Sequence, residues 1–164
     1  SLRGAIEASL SLAHSQPKNP RLLPMPGGQR YSKVNRYIKA TAALTPEDRA
    51  RAVRRACDLA VKKGQVAAGI FSSGQSQTAV GNSRGLFAAH RETHSQFSIT
   101  MQEDLAASWA KANNADVRAF DPQKLAERAS EKAHLAVNAK ELAPGRYTVI
   151  LEPAAVLDLA GFLF

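Results

Sequence analysis

His90-Arg91-Glu92-Thr93-His94 is the stretch in which metal-ligating residue types cluster. On a helix, His90 and His94 would share one face at i, i+4; on a strand, His90, Glu92 and His94 would line up along one side. Two imidazoles and a carboxylate can hold Zn²⁺ with one position left open, so these three are the candidate metal ligands, and zinc-assisted hydrolysis is the chemistry they would support. The spacing departs from His-Glu-x-x-His, because the carboxylate sits at the wrong offset to act as base between two helical ligands. Consecutive same-face positions of a strand also lie about 7 Å apart, which is wide for one ion. The competing reading is a solvated strand face.

Other reactive types stand alone. Cys57 falls on the apolar side of a helical pattern with Val53, Ala56 and Ala60, which reads as a small buried thiol without a catalytic partner. Gly69, Gly74, Gly81 and Gly85 form neither Gly-x-Gly-x-x-Gly nor a phosphate loop ending in Lys-Ser/Thr. Ser72-Ser73-Gly74 lacks the spacing of a hydrolase nucleophile elbow. His14 and His134 fall on expected helices as surface residues, and Trp109 reads as a core or interface anchor. No catalytic residue emerges from these patterns.

The elements that would position the cluster begin at Val66. Two short apolar runs, Val66–Ser72 and Ser76–Val80, flank Ser73-Gly74-Gln75, which reads as a hairpin. A second turn follows at Gly81-Asn82-Ser83-Arg84-Gly85. Leu86 to Met101 then alternates, with Phe87, Ala89, Phe97, Ile99 and Met101 in one row and His90, Glu92, His94, Gln96, Ser98 and Thr100 in the other. Arg91, Thr93 and Ser95 interrupt the apolar row, so a bulge or strand end is expected there. A fourth run, Leu105–Ala112, ends at Asn113-Asn114. Thr45-Pro46-Glu47-Asp48 and Asp121-Pro122 are helix starts with a cap and a proline at the first helical position. The second helix is expected to reach about Lys140 and to lay Ala126, Ala129, Ala133, Ala136 and Val137 on the sheet. Tyr147–Leu151 reads as a further strand and Ala154–Phe164 as an apolar helix start. Strands in a run, flanked by helices, make an α+β fold: an antiparallel meander of about four strands with one more near the C-terminus.

Three segments are expected. Residues 1–42 are a helix, Leu2–Ser15, followed by a Pro-rich connector over Gln16–Arg30 and an ambiguous Tyr31–Ala42. Residues 43–143 are the central domain, and residues 144–164 begin another. Ser1 at the start and bare Phe-Leu-Phe at the end suggest a piece of a longer protein. A single cysteine excludes an internal disulfide and fits a reducing, cytoplasmic location. No apolar run approaches the roughly 20 residues that span a bilayer, so no membrane partner is expected. The net charge of +8 raises nucleic acid as a partner. Against it, the basic residues are scattered and no aromatic residues interleave with them as a stacking platform.

Several segments, taken in order, resemble the central part of the TldD/PmbA family. A capped helix leads into Gly64-Gln65-Val66. Val80-Gly81-Asn82-Ser83-Arg84-Gly85-Leu86 is similar to the family's Asn-Ser-x-Gly turn. An Ala-rich helix comes next, and Pro144-Gly145-Arg146-Tyr147-Thr148-Val149-Ile150-Leu151-Glu152-Pro153 resembles the entry to the family's catalytic region. The resemblance implies a peptidase of two subunits, once named a modulator of DNA gyrase, acting on unfolded or modified peptides. Its catalytic members carry a zinc-binding His-Glu-x-x-x-His helix after that strand. Here the place reads Val156-Leu157-Asp158-Leu159-Ala160-Gly161-Phe162-Leu163-Phe164, with no histidine. The resemblance therefore implies the PmbA/TldE-type subunit, with no metal or other cofactor of its own, partnered by a TldD-like subunit that holds the zinc.

Overall fold

The computed structural model describes residues 1–163. In chain order they form α1 (Leu2–Ser15), α2 (Lys39–Ala42), α3 (Pro46–Lys62), β1 (Val66–Gly81), β2 (Phe87–Glu103), β3 (Ala106–Asn114), a 3-10 turn at Val117–Ala119, α4 (Pro122–Ala136) and α5 (Pro153–Gly161). The strands make one antiparallel sheet in the order β1-β2-β3, so the fold is the expected α+β meander. Both long helices start where local chemistry dictates. Thr45 Oγ1 accepts from the Asp48 backbone N–H at 3.1 Å, and the Asp48 carboxylate accepts from the Thr45 N–H at 3.0 Å, closing a capping box. Asp121 Oδ1 accepts from the Gln123 N–H at 2.9 Å ahead of α4.

The sheet has three strands because Ser73-Gly74-Gln75 is not a turn. β1 runs through it, pairing with β2 one-to-one from Val66↔Gln102 to Gly81↔Phe87. The glycine serves a close approach instead. A Cβ at position 74 would lie 2.7 Å from Cε1 of His94, whose ring covers the residue it faces across the strands. The second expected turn is real: Asn82 Oδ1 accepts from the N–H groups of Arg84 and Leu86, and Gly85 takes φ +80°.

Nor does β2 bulge at Arg91–Ser95. Thr93 and Ser95 continue the inward row as buried residues, 1% exposed each, because their hydroxyls are satisfied. Ser95 Oγ donates to the Asn114 carbonyl at 2.8 Å. Thr93 Oγ1 donates to the Ala115 carbonyl at 2.8 Å and accepts from the Ile38 N–H at 3.1 Å. Buried Thr41 donates to the same Ala115 carbonyl and accepts from the Val117 N–H. This polar plug ties the incoming chain, through a single parallel bridge between Arg36 and Glu92, to the far end of β3. Replacing Thr93 with Val should cost about 1–3 kcal/mol, since the Ile38 N–H loses its acceptor without gaining water. Adding Thr41→Val should cost more than the two single losses together, because only then is the Ala115 carbonyl bare. Urea unfolding of the three variants reads both effects.

The core lies between the sheet and the two long helices. Phe97, Ile99 and Met101 of β2 pack beneath Ala56 and Ala60 of α3 and Ala126, Ala129 and Ala133 of α4. Alanine faces let both helix backbones approach the sheet closely. α3 lies over β1 and α4 over β2 and β3. The apolar row outruns this cover: Phe87 is 72% exposed, so the distal halves of β1 and β2 extend beyond the helices.

Three further expectations change. α4 stops at Ala136, short of Lys140. Tyr147–Leu151 forms no strand, having no pairing partner among the described residues; β-branched sequence supplies only half of a ladder. Cys57 is exposed, because α3 turns Ala52, Ala56 and Ala60 inward and leaves Val53 and Cys57 on its flank.

Candidate functional site

β2 places His90, Glu92 and His94 on the sheet face turned away from the long helices, at successive same-side positions. The structure brings two of them together. His90 Nε2 lies 3.7 Å from Glu92 Oε2, and Arg36 Nε approaches that same oxygen at 3.6 Å. The guanidinium competes with any cation for that same carboxylate oxygen, and like charges disfavour each other there. His94 stands apart, lying over Gly74. Among the described residues no group of three or more His, Cys, Asp or Glu is placed to hold a metal ion. On this geometry the cluster can make a weak, half-exposed ion pair when His90 is protonated, and little else.

Two charged groupings escaped sequence reasoning because their members lie far apart along the chain. At the base of the sheet, the Gln65 side-chain amide donates to Glu103 Oε2 at 2.6 Å and to the Ser130 carbonyl at 3.1 Å. His134 Nδ1 lies 2.8 Å from Glu103 Oε1; since the carboxylate only accepts, that nitrogen carries the proton. His134 therefore has a partner after all, and α4 is fastened to β2. The Gln65 amide, then the His134 ring, hold the Glu103 carboxyl below its ordinary range. A carboxyl depressed by folding adds stability above its ordinary value and loses it as pH falls through the folded value. Glu103→Gln should accordingly flatten the acid limb of the stability profile, read as urea midpoints at successive pH values below neutrality. A wild-type and variant pair with parallel acid limbs would contradict this role.

The second grouping sits at the other edge. Glu152 accepts from Arg128 Nη2 at 2.6 Å and also pairs with Lys132, and these two cations hold its carboxyl low. They anchor the start of α5 beside a groove of about 620 Å³. Trp109, 46% exposed, lines that groove with Lys111 and Leu125, so it is not a core residue. Of the basic residues of α3, Arg49 donates to Ser73 Oγ at 2.9 Å and Arg51 pairs with Asp48, while Arg54 and Arg55 are exposed. No helix among the described residues is long and apolar enough to cross a membrane.

Comparison with known proteins places this arrangement. Residues 32–137 match the PmbA/TldA metallopeptidase central domain. A solved structure from Thermotoga maritima, named for modulation of a DNA gyrase, superposes with a TM-score of 0.70 at 14% identity, covering 88% of this chain and 34% of that one. TldE from Thermococcus kodakarensis superposes with a TM-score of 0.66 at 19% identity, covering 82% and 32%. The chain thus spans about a third of the length of either. At these identities the two structures speak for the fold alone. No curated protein matches the sequence.

Proposed function

The chain belongs to the PmbA/TldD metallopeptidase family through its central domain, and we propose that it is part of a metal-free, TldE-type subunit of a cytoplasmic two-subunit peptidase acting on unfolded or modified peptides. In this reading a TldD-like partner supplies the zinc and the cleavage chemistry, and this chain supplies structure and contact surface. The observation that carries it is the composition of α5. This helix follows the segment that resembles the family's entry to the catalytic region, and Asp158 is its only residue of a metal-ligating type. One carboxylate without an imidazole does not fit a zinc ion, which takes three protein ligands even at an open catalytic site. The His90, Glu92 and His94 set does not replace it, because Arg36 and His90 both approach the same Glu92 oxygen while His94 lies apart over Gly74.

Metal content of the full-length protein, purified alone and with its partner, tests the proposal. Zinc is expected only in the complex. Stoichiometric zinc on the protein alone would refute the metal-free assignment, and His94→Ala would then show whether the β2 cluster binds it.

A further inference from the structure

β2 outruns one of its two neighbours. β1 follows it as far as Phe87, but β3 stops opposite Ser95, so residues 87–94 have no strand beside them on the β3 side among the described residues. Backbone N–H groups of alternate residues point to the same edge of a strand. Thr93 donates outward there, to the Arg36 carbonyl at 3.0 Å, so the N–H groups of Arg91 and Ala89 face that edge too. Such an edge is a template for another strand.

The connector that leads to α2 runs along it and is held at both ends. Arg36 makes the parallel bridge to Glu92. At the other end Asn82 Nδ2 donates to the Pro26 carbonyl at 2.9 Å, and Gly28 passes so close to the turn that a Cβ there would stand 3.0 Å from the Gly85 carbonyl oxygen. Gly28 and Arg36 are eight positions apart and Gly85 and Glu92 seven, so the connector matches the edge with a residue to spare. Between the anchors, residues 31–35 make no bridge to β2 and instead wall a cavity of about 590 Å³ with Thr78, Val80, Ala88 and His90. Tyr31 and Val34 are exposed along this stretch, 51% and 60%.

We propose that residues 31–35 are a strap that closes on this edge, continuing the register of Arg36 and Glu92 as a fourth, parallel strand. That register puts Val34 beside His90 and Ser32 beside Ala88 on one face, and Tyr31 beside Phe87 on the other. The Val34 carbonyl accepts from the Arg91 N–H, the Val34 N–H donates to the Ala89 carbonyl, and the Ser32 carbonyl accepts from the Ala89 N–H. Closing satisfies the bare edge, shuts the cavity and lays the Tyr31 ring against Phe87, which the long helices leave exposed. Because both ends are already held, the chain entropy that opposes closing is small. The inference concerns backbone pairing within this chain and is independent of the metal-free assignment.

Cross-linking in the full-length protein carrying Cys57→Ser reads the register. Ser32→Cys combined with Ala88→Cys should form a disulfide on mild oxidation, and Val34→Cys combined with Ala88→Cys should not. Opposed residues on neighbouring strands lie about 5 Å apart, within reach of a disulfide, whereas a two-residue slip takes them to about 8 Å, beyond it. Hydrogen exchange at the Arg91 amide gives a second reading. Val34→Pro, which removes the N–H aimed at β2, should speed that exchange about tenfold. Lys33→Pro, at a position whose N–H faces away from β2, should leave it near the wild-type rate. The proposal is overturned by no cross-link in either pair, by equal cross-linking of both, or by equal Arg91 exchange in the two proline variants.

Discussion

Replacing Phe97 with Ala is expected to destabilise the domain by about 3–5 kcal/mol. Phe97 is 2% exposed at the centre of the core, and its ring meets that of Phe71 edge-to-face at a centroid distance of 5.6 Å. The cost should fall at the upper end of the range for a reason specific to this core. The fully buried helix residues facing the sheet are Ala56, Ala60, Ala126, Ala129 and Ala133, with Leu59 and Leu125 packed against the core only at its partly buried margin. None of these alanines has a side chain long enough to swing into the vacated volume. The cavity would therefore persist, and the cavity contribution would add to the lost transfer energy. Phe97→Leu, which keeps most of the volume, should cost far less. Urea unfolding of the two variants reads the difference. A loss below about 1 kcal/mol for Phe97→Ala would mean that the helices collapse inward more freely than an alanine interface allows.

Gly69→Ala should cost about 3 kcal/mol, a large penalty for one methyl group. A Cβ there would stand 2.2 Å from the Ser98 carbonyl oxygen and 2.9 Å from the Ile99 Cα. Both are backbone atoms of β2, held by β1 on one side and β3 on the other, and a methyl group has no rotamer with which to avoid them. Gly74→Ala makes the informative contrast. Its added methyl would meet only the His94 ring, which can rotate toward solvent. Gly74→Ala should thus be mild while Gly69→Ala is severe, and equal thermal midpoints for the two would show that the sheet can shift at Gly69.

These glycines also show where the sequence is legible. The starts of α3 and α4 were, because a cap and a proline act within one helical turn. The alternation over Phe97–Met101 was too, because it is local to β2. Gly74 was misread since a tight turn and a close cross-strand approach both call for glycine, and only the partner strand distinguishes them. Thr93 and Ser95 look like breaks in an apolar row until Ala115 and Asn114 supply carbonyl acceptors from beyond β3. Cys57 looked buried because alanine carries no bulk by which to tell a core position from its neighbour one step around the helix. Tyr147–Leu151 has the composition of a strand, but pairing is a property of two segments. The candidate site divides in the same way. The His90, Glu92 and His94 cluster was visible as a run of residue types, whereas Arg36, which takes up Glu92, and the link from Glu103 to His134 depend on tertiary placement.

Peptide cleavage by the full-length protein, assayed alone and then mixed with a TldD-like partner, bears most directly on the role assigned to this chain. The metal-free reading predicts no turnover from the protein alone and chelator-sensitive turnover from the mixture. Chelator-sensitive cleavage by the protein alone would contradict it, and its loss on replacing His90 and His94 would place the metal on β2.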